Sequence, residues 1–521
     1  MNSIQGKVEE KFRALEKERT NWILLGEKMS ALTMPYIFPK GGEENSLNVP
    51  VLYSNIGAFA VKNLASKLML QVLPPNQAFF RMNINPKANK ILSAENPDAE
   101  ALAKIKSEIE SNLSELESRI QKEIGKGSLR SVAYESLLHY LIVGNVVLHI
   151  PAEGAPSITD LHSFVAERDY SGDLLLLIIR DCAAKETLTE NQLRAYVPDK
   201  MGDNNEDEEE IEVFTVMQLI NRKEYRVWQE VSGNVVVGTE KTYKKDRAPF
   251  IVLRASSTPG EDYGHPYVES FEGDLTLSES LTKAVKQCAL ASSRLVFGID
   301  PSAPVGLEEV LTKAPNGSFH RFKAEHVQPI QTNKTADLSV TANVLSDVHN
   351  RIRTGFLMAY SRDAERVTAE ENRIHYQELQ AVLGGTFSML AADFQAPLVY
   401  RVLERLKASG ELDDISDAID YTVPTIITGI DAIGRNSDLN NLVAFTEIVQ
   451  KAFGPSGTVT YINGPEFLSR VGSATNVRTK GLIKTQEQVQ AQQNMSAMQA
   501  MGEKAVGPMV NAMASQQGQP Q

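Results

Sequence analysis

Apolar side chains recur at spacings of three, four and seven over residues 3–30, at Ile4, Val8, Phe12, Leu15, Trp22 and Leu25, which predicts a helix with one apolar face. Pro35, Pro39, Gly41 and Gly42 end it. A second helix is predicted from about Tyr53 to Leu73, stopped by Pro74 and Pro75. The cleanest stripe runs through Leu102, Ile105, Ile109, Leu113, Leu116, Ile120 and Ile124, a helix over 99–124.

From about residue 142 the pattern turns to short β-rich runs: Ile142 to Ile150, Leu174 to Arg180, Ile211 to Ile220, Tyr225 to Val231, Asn234 to Val237 and Phe250 to Arg254. These predict a small β subdomain over about 142–255. Inside it, Asp203, Glu206, Asp207, Glu208, Glu209, Glu210 and Glu212 form an acidic cluster without apolar period. It is either a solvated loop or an electrostatic contact with a neighbouring subunit or basic partner.

Two long helices are predicted next. One spans about Val268 to Val296, with Phe271, Leu275, Leu281, Val285 and Cys288 on one side. The other spans about Ala336 to Tyr360, with Leu345, Val348, Ile352 and Phe356. Each would extend roughly 35–45 Å. Gly298, Pro301, Pro304, Pro315 and Gly317 punctuate the insert between them, which also carries Lys313, His320, Arg321 and Lys323. An antiparallel helix pair with an insert at its tip is the simplest arrangement. Thr368 and Glu371 then form a capping box opening a helix that should kink at Gly384-Gly385 and Pro397. Smaller helices are predicted around Leu439 to Phe453 and Pro465 to Val471, and the Gln- and Met-rich residues from about Gln486 as a marginal helix fading into disorder.

Composition narrows the function. The chain has 521 residues, 42% hydrophobic and 23% charged, with a net charge of −13. That is enough for several cores, and the negative balance argues against tight, static DNA binding while suiting a surface past which DNA slides. Two cysteines, Cys182 and Cys288, supply neither a disulfide framework nor a zinc site and suit a reducing cytoplasm. The longest strongly apolar run, Leu174 to Ile179, is far short of the roughly 20 residues a membrane span needs, so no membrane anchor or secretion signal is expected. No phosphate loop, nucleophile elbow or zinc helix occurs. Gly125-Lys126-Gly127-Ser128 matches a phosphate loop only superficially, and His139, His149, His349 and His375 lie scattered. The residues alone therefore indicate a mostly helical, non-enzymatic protein without cofactor or metal.

Specific strings go further. Met34-Pro35-Tyr36-Ile37-Phe38-Pro39-Lys40 and Asn63-Leu64-Ala65-Ser66-Lys67-Leu68-Met69-Leu70 are followed by Val143-Gly144-Asn145-Val146-Val147-Leu148, Val165-Ala166-Glu167-Arg168-Asp169, and Tyr263-Gly264 leading into Gly273-Asp274-Leu275. Glu365-Arg366-Val367-Thr368-Ala369-Glu370-Glu371, Leu383-Gly384-Gly385 and Thr428-Gly429-Ile430-Asp431-Ala432-Ile433-Gly434-Arg435 complete the series. In this order, over residues 34 to about 440, they resemble the head-to-tail connector (portal) family of T7-like podoviruses.

The resemblance implies an α+β, mainly helical portal fold: a wing over 1–265, stem helices over 266–297 and 336–361, a clip over 298–335, a channel loop over 359–367, a kinked helix and the rest of the wing over 368–424, a crown over 425–485 and a flexible tail over 486–521. It implies a ring of twelve subunits in the virion, assembled in the host cytoplasm at one capsid vertex, through which double-stranded DNA is packaged and ejected. Twelve copies carry 12 × −13, or −156, formal charges. The implied partners are the terminase large subunit, the major capsid and scaffolding proteins, tail adaptor or nozzle proteins and internal core proteins, with no membrane.

Arg362 and Arg366 of the channel loop are the expected DNA gate, Arg362 engaging phosphates and Arg366 bridging to an acidic neighbour. The alternative is local pairing with Asp363 and Glu365. Arg351 and Arg353 diverge by about 200°, so at most one faces the channel, with Arg353 the candidate. Lys313, Arg321 and Lys323 of the clip are candidates for contact with DNA, motor or tail. The competing functions are another structural component, such as a scaffold or tail adaptor, or a packaging ATPase or nuclease.

Overall fold

The structure is a computed structural model describing residues 4–41, 49–74, 79–84, 99–197, 210–292, 296–330, 335–358, 385–386, 388–412, 422–426 and 444–454, with positions 467 and 471. The chain divides into two compact units: residues 1–92 with 115–426, and residues 93–114 with 427–521. Helix and sheet are mixed throughout the first. The described part of the second comprises the start of one long helix, a helix over 444–454 and the two isolated positions.

The first unit opens with α1 (Val8–Leu32), α2 (Ile56–Val72) and the strand β1 (Phe80–Ile84). Next come α3 (Ala99–Ile124), whose first half belongs to the second unit, and α4 (Gly127–Ile142). The start of the predicted β run at Ile142 is thus the end of a helix. Leu137 through Ile142 are all buried, so α4 has no polar face there and leaves no amphipathic period to read.

The β region is two sheets. β2 (Asn145–His149) lies between β3 (Ser157–Thr159) and the late strand β10 (Phe250–Arg254). The larger sheet contains β4 (Phe164–Arg168), β5 (Leu174–Ala184), β6 (Glu210–Leu219), β7 (Glu224–Val231), β8 (Asn234–Val235) and β9 (Lys241–Lys244). Its order is β4-β5-β6-β7, with β8 and β9 both pairing β7, and every pairing is antiparallel. The short α5 (Glu190–Ala195) follows β5, held by a capping box of Thr189 and Gln192.

Helix α1 supplies the core of this sheet. Val8, Phe12 and Leu15 pack with Val165, Leu176, Ile178, Phe214, Val216 and Trp228, all buried. Polar contacts fix its register: Arg13 grips Glu212 with both carboxylate oxygens at 2.8 and 2.9 Å, and Lys11 meets Glu167 at 2.7 Å. The buried Glu230 carboxylate accepts hydrogen bonds from Trp228 Nε1 at 2.8 Å and Gly6 N at 3.1 Å, tying residues ahead of α1 to the sheet.

The two long helices are α6 (Glu272–Ser292) and α8 (Thr335–Gly355), joined through β11 (Val296–Ile299), α7 (Leu307–Lys313) and β12 (Val327–Ile330). At 21 residues each helix is about 30 Å long, shorter than the spacing suggested, because Tyr267–Phe271 wind as a 3₁₀ turn and Gly355 ends the second. β11 and β12 pair antiparallel and close the insert's base.

The helix does not break at the expected Pro397. Ala391–Gln395 form a π turn that runs without a break into α9 (Ala396–Ala408), where Pro397 sits in the first turn and has no N–H to donate. β13 (Thr422–Ile426) then pairs antiparallel with β1, a contact spanning more than 330 residues. Of the two small helices expected later, the first is observed over 444–454; most of Pro465 to Val471 and all of the Gln-rich tail lie outside the described residues.

Candidate functional site

Three of the family-like strings meet at one junction. Gly144 adopts φ +80°, and a Cβ there would lie 2.4 Å from the Gly264 carbonyl, so only glycine fits. Asn145 seals the contact: its side chain donates to Gly264 O at 3.0 Å and accepts from Gly264 N at 2.8 Å. Tyr263 accepts from Ala166 N at 3.1 Å, and Asp262 accepts from Arg168 N at 2.6 Å. The segment 262–266 leading toward α6 is thereby bolted to both sheets.

The helix pair leaves from this junction antiparallel, as the cross-contacts show. Arg351, near the end of α8, reaches Asp274 at the start of α6, at 2.6 Å. One turn along, Ser278 bridges His349 Nε2 at 3.0 Å and Ser54 Oγ at 2.9 Å. Glu279 accepts from Tyr53 N and Ser54 N, both at 2.8 Å, so the segment before α2 is strapped across α6. Burial and the Arg353 guanidinium together push the His349 imidazole below its ordinary pKa, favouring the neutral ring as a hydrogen-bond partner. Arg351 and Arg353 do diverge: the first is held by Asp274, while the second is exposed with no recorded partner among the described residues.

Packing along the pair is uneven. Leu275, Val348, Ile352 and Phe356 are buried, and Phe356 rests on Phe271 and Tyr267 at centroid distances of 4.8 and 5.5 Å. Leu281, Val285, Cys288 and Leu345 face the pair but are only half-buried, and Leu290, Val340 and Val344 are exposed. The insert beyond is barely buried at all. Phe297, Val305, Val310 and Phe319 face solvent, the last completely.

The end of α8 is clamped where the chain passes into residues 359–367. Met358 N donates to Arg353 O at 2.7 Å and Leu357 N to Thr354 O at 3.1 Å, a Schellman cap that puts Leu357 at φ +54° where glycine is usual. Asn63 Nδ2 donates to Phe356 O at 3.1 Å and Leu357 O at 3.3 Å, Lys67 Nζ donates to Leu357 O, and Tyr267 OH donates to Gly355 O at 2.8 Å. Burial lowers the Lys67 pKa. The string containing Asn63 and Lys67 thus acquires a physical role as anchor for the end of α8. Sequence reasoning missed it because nothing in the string signals a partner almost 300 positions away.

Arg362 and Arg366 themselves, with the Thr368 capping box and Gly384, lie outside the described residues. Lys313 sits in the last turn of α7, 3.8 Å from Glu309 and largely exposed; Arg321 and Lys323 are exposed in the extended stretch before β12. Among the described residues no group of three His, Cys, Asp or Glu side chains could hold a metal, and no helix is long and apolar enough to cross a membrane.

The arrangement defines a class first: a structural subunit whose distinctive feature is a braced helix pair carrying an uncovered apolar insert. Comparison with known proteins gives the family. The bacteriophage head to tail connecting protein pattern matches residues 5–483, and the chain belongs to this family. It is 32% identical to the portal protein of Escherichia phage T7 over 515 residues, covering 97% of this chain and 93% of that one. Identity to the portal protein of Enterobacteria phage T3 is 31% over 512 residues, covering 96% and 93%. Among solved structures, a chain from the neck of an empty GTA particle aligns at 13% identity and a TM-score of 0.37, covering 80% of this chain and 90% of that one. At that TM-score the likeness carries no argument. Family membership and the full-length relatives make the function that of a portal protein, the connector between phage head and tail.

Proposed function

We propose that the chain assembles into a closed ring, of twelve copies, around a channel for double-stranded DNA. The single observation that carries this reading is the solvent-facing apolar surface of the helix pair and insert, at Leu290, Phe297, Val305, Phe319 and Val340. Large exposed apolar side chains cost free energy in water, and burial under a neighbour removes that cost. A chain that covers them with a different patch of the next copy makes a head-to-tail contact, which closes into a ring when the rotation per copy divides the circle. In the ring, residues 1–265 and 368–424 serve as wing, α6 and α8 as stem, 298–335 as clip and 425–485 as crown.

The channel loop over 359–367 then follows directly on the clamp of Asn63, Lys67 and Tyr267 on residues 355–357. Arg362 engages DNA phosphates there and Arg366 fixes the loop to an acidic neighbour. Arg353, exposed on the last turn of α8, adds a cation near the same clamp. Elsewhere the net charge of −13 per copy keeps contact with DNA weak. Lys313, Arg321 and Lys323 at the clip meet the packaging motor, the terminase large subunit, and afterwards the tail adaptor or nozzle. The capsid, scaffolding and internal core proteins contact the remaining faces, with assembly in the host cytoplasm and no catalysis by the chain itself. Negative-stain images of the purified chain should show rings with a central hole, and only open filaments or compact monomers would overturn the ring. Particles carrying Arg362→Ala should package DNA but retain it poorly; normal retention would remove the gate.

A further inference from the structure

The two flanks of the helix pair are not alike. Each residue advances about 100° around an α-helix, which sorts the positions of α6 and α8 by side. On α8, Arg351, Val344, Val340 and Asp347 lie about 40–100° to one side of the inward Val348, and His349 and Arg353 about 100–140° to the other. On α6, Asp274, Leu281 and Leu277 lie about 100–160° to one side of Leu275, and Glu272, Glu279, Lys283 and Lys286 about 20–80° to the other. The 2.6 Å pair of Arg351 with Asp274 joins the first two sides into one flank. Ser54 joins the second two: its N–H donates to Glu279, and its hydroxyl meets Ser278 beside His349.

The Arg351 flank is apolar, with Leu277, Val340 and Val344 exposed. Among the described side chains its charges are Asp274 and Asp347 against Arg351, a net of −1. The Glu279 flank is instead covered by the segment before α2. Glu279 accepts from Tyr53 N and Ser54 N, Lys286 Nζ donates to Tyr53 O, and the Lys283 and Lys286 ammonium groups lie 5.5 and 5.4 Å from the Tyr53 ring centroid. Val51 of this cover is 89% exposed and Tyr53 40%. Glu272 is paired with Lys28, so Lys283, Lys286 and Arg353 against Glu279 leave a net of +2.

The heights of the two surfaces agree as well. Counted along both helices from the Asp274–Arg351 pair, Val344 and Val340 stand about 10 and 17 Å along, and Lys283 and Lys286 about 14 and 18 Å. Rotation about a ring axis leaves height along that axis unchanged. With the helix pair lying along the axis, the two valines of one copy come level with the Tyr53 cover of the next. A two-fold dimer would instead set the acidic flank against itself, Asp347 near Asp347.

We propose that in the ring the flank of Leu277, Val340, Val344 and Asp347 on one copy packs against the Val51–Tyr53 cover of the next, with Lys283 on the side of Asp347. This rests on the ring reading above and adds to it which side of the helix pair gives and which receives. The segment before α2 is then part of the interface, and the apolar contact carries a salt-sensitive charge pair beside it.

Disulfide trapping on the full-length chain tests it. In a background of Cys182→Ser and Cys288→Ala, Val344→Cys combined with Val51→Cys or with Tyr53→Cys should, for at least one pairing, give on mild oxidation a ladder of linked chains that ends at the closed ring. Each of these cysteines alone should give no ladder. Asp347→Lys and Lys283→Glu should each raise the concentration for half-assembly about fivefold or more at low salt, and together they should restore it. That rescue separates a lost contact from a misfolded subunit. If rings form and neither pairing links chains, the flank assignment is wrong while the ring stands. If Val344→Cys alone links two chains, the flank meets its own copy and the assignment is again wrong. If no pairing links and Lys283→Glu weakens DNA binding with assembly intact, the covered flank faces nucleic acid, which also overturns it. If the unaltered chain forms no ring, the ring reading itself fails and the flank assignment with it.

Discussion

The sheet capped by α1 and the helix pair with its insert are built on opposite plans. In the first, Phe12, Val165, Ile178, Val216 and Trp228 are sealed from solvent, and charges such as Arg13 and Glu212 are paired around the rim. In the second, burial fades from Phe356 to Leu345 to Val340, and the insert displays Phe297 and Phe319. One region completes its core within the chain; the other leaves apolar side chains in solvent, which a neighbour covers in the proposed ring. A subunit divided this way can fold before it assembles.

The sharpest way to break this contrast is to cut a large side chain from each region. Phe12→Ala should cost about 3–5 kcal/mol of folding stability, read as a lowered denaturation midpoint. Phe319→Ala should leave that midpoint unchanged and weaken assembly instead. An equal loss of fold stability from both would erase the distinction. Gly355→Ala is next in size: its Cβ would sit 2.2 Å from Phe271 Cε1, and forcing the ring aside should cost about 1–3 kcal/mol, visible as faster amide exchange at the end of α8.

The packed region should also respond to acid. His139 is buried on α4 and desolvation lowers its pKa from 6.5 to about 4. The unfolded chain therefore binds the proton first, so this contribution to stability is intact above about pH 6.5 and is lost as pH falls toward 4. A decrease on the order of 1–3 kcal/mol from this group between pH 7.5 and 5 is expected, and His139→Asn should remove that share while His149, also lowered to about 4 by burial, keeps its own. Asn63→Ala removes a donor from the Phe356 and Leu357 carbonyls and should cost about 1 kcal/mol, seen as exchange at residues 352–357 with the sheet unaffected. The smallest effect belongs to Arg351→Ala, whose pair with Asp274 is on the surface; no measurable change in melting is expected.

What was legible in the residues follows the same divide. Amphipathic elements announced themselves: the stripe at Leu113, Leu116 and Ile120 marks α3, and Leu345, Val348, Ile352 and Phe356 mark the inward face of α8. Helix α4 was missed because most of its second half is buried on every side, and the pairing of β1 with β13 because strand partners so far apart leave no local trace. The strings that carried the family resemblance gave no hint of why they stand as they do. Only in three dimensions does Gly144 need to be glycine beneath the Gly264 carbonyl, or Asn63 to face the end of α8. Arg362 and Arg366 remain a proposal carried by the family resemblance and the clamp that precedes them.

The mass of the assembled protein tests the central claim most directly. Native mass measurement on the purified full-length chain should give a closed species of twelve times 57.4 kDa, about 690 kDa, with little between it and the monomer. A monomer that persists at concentrations far above micromolar, or an open-ended ladder of masses, would contradict a ring-forming subunit.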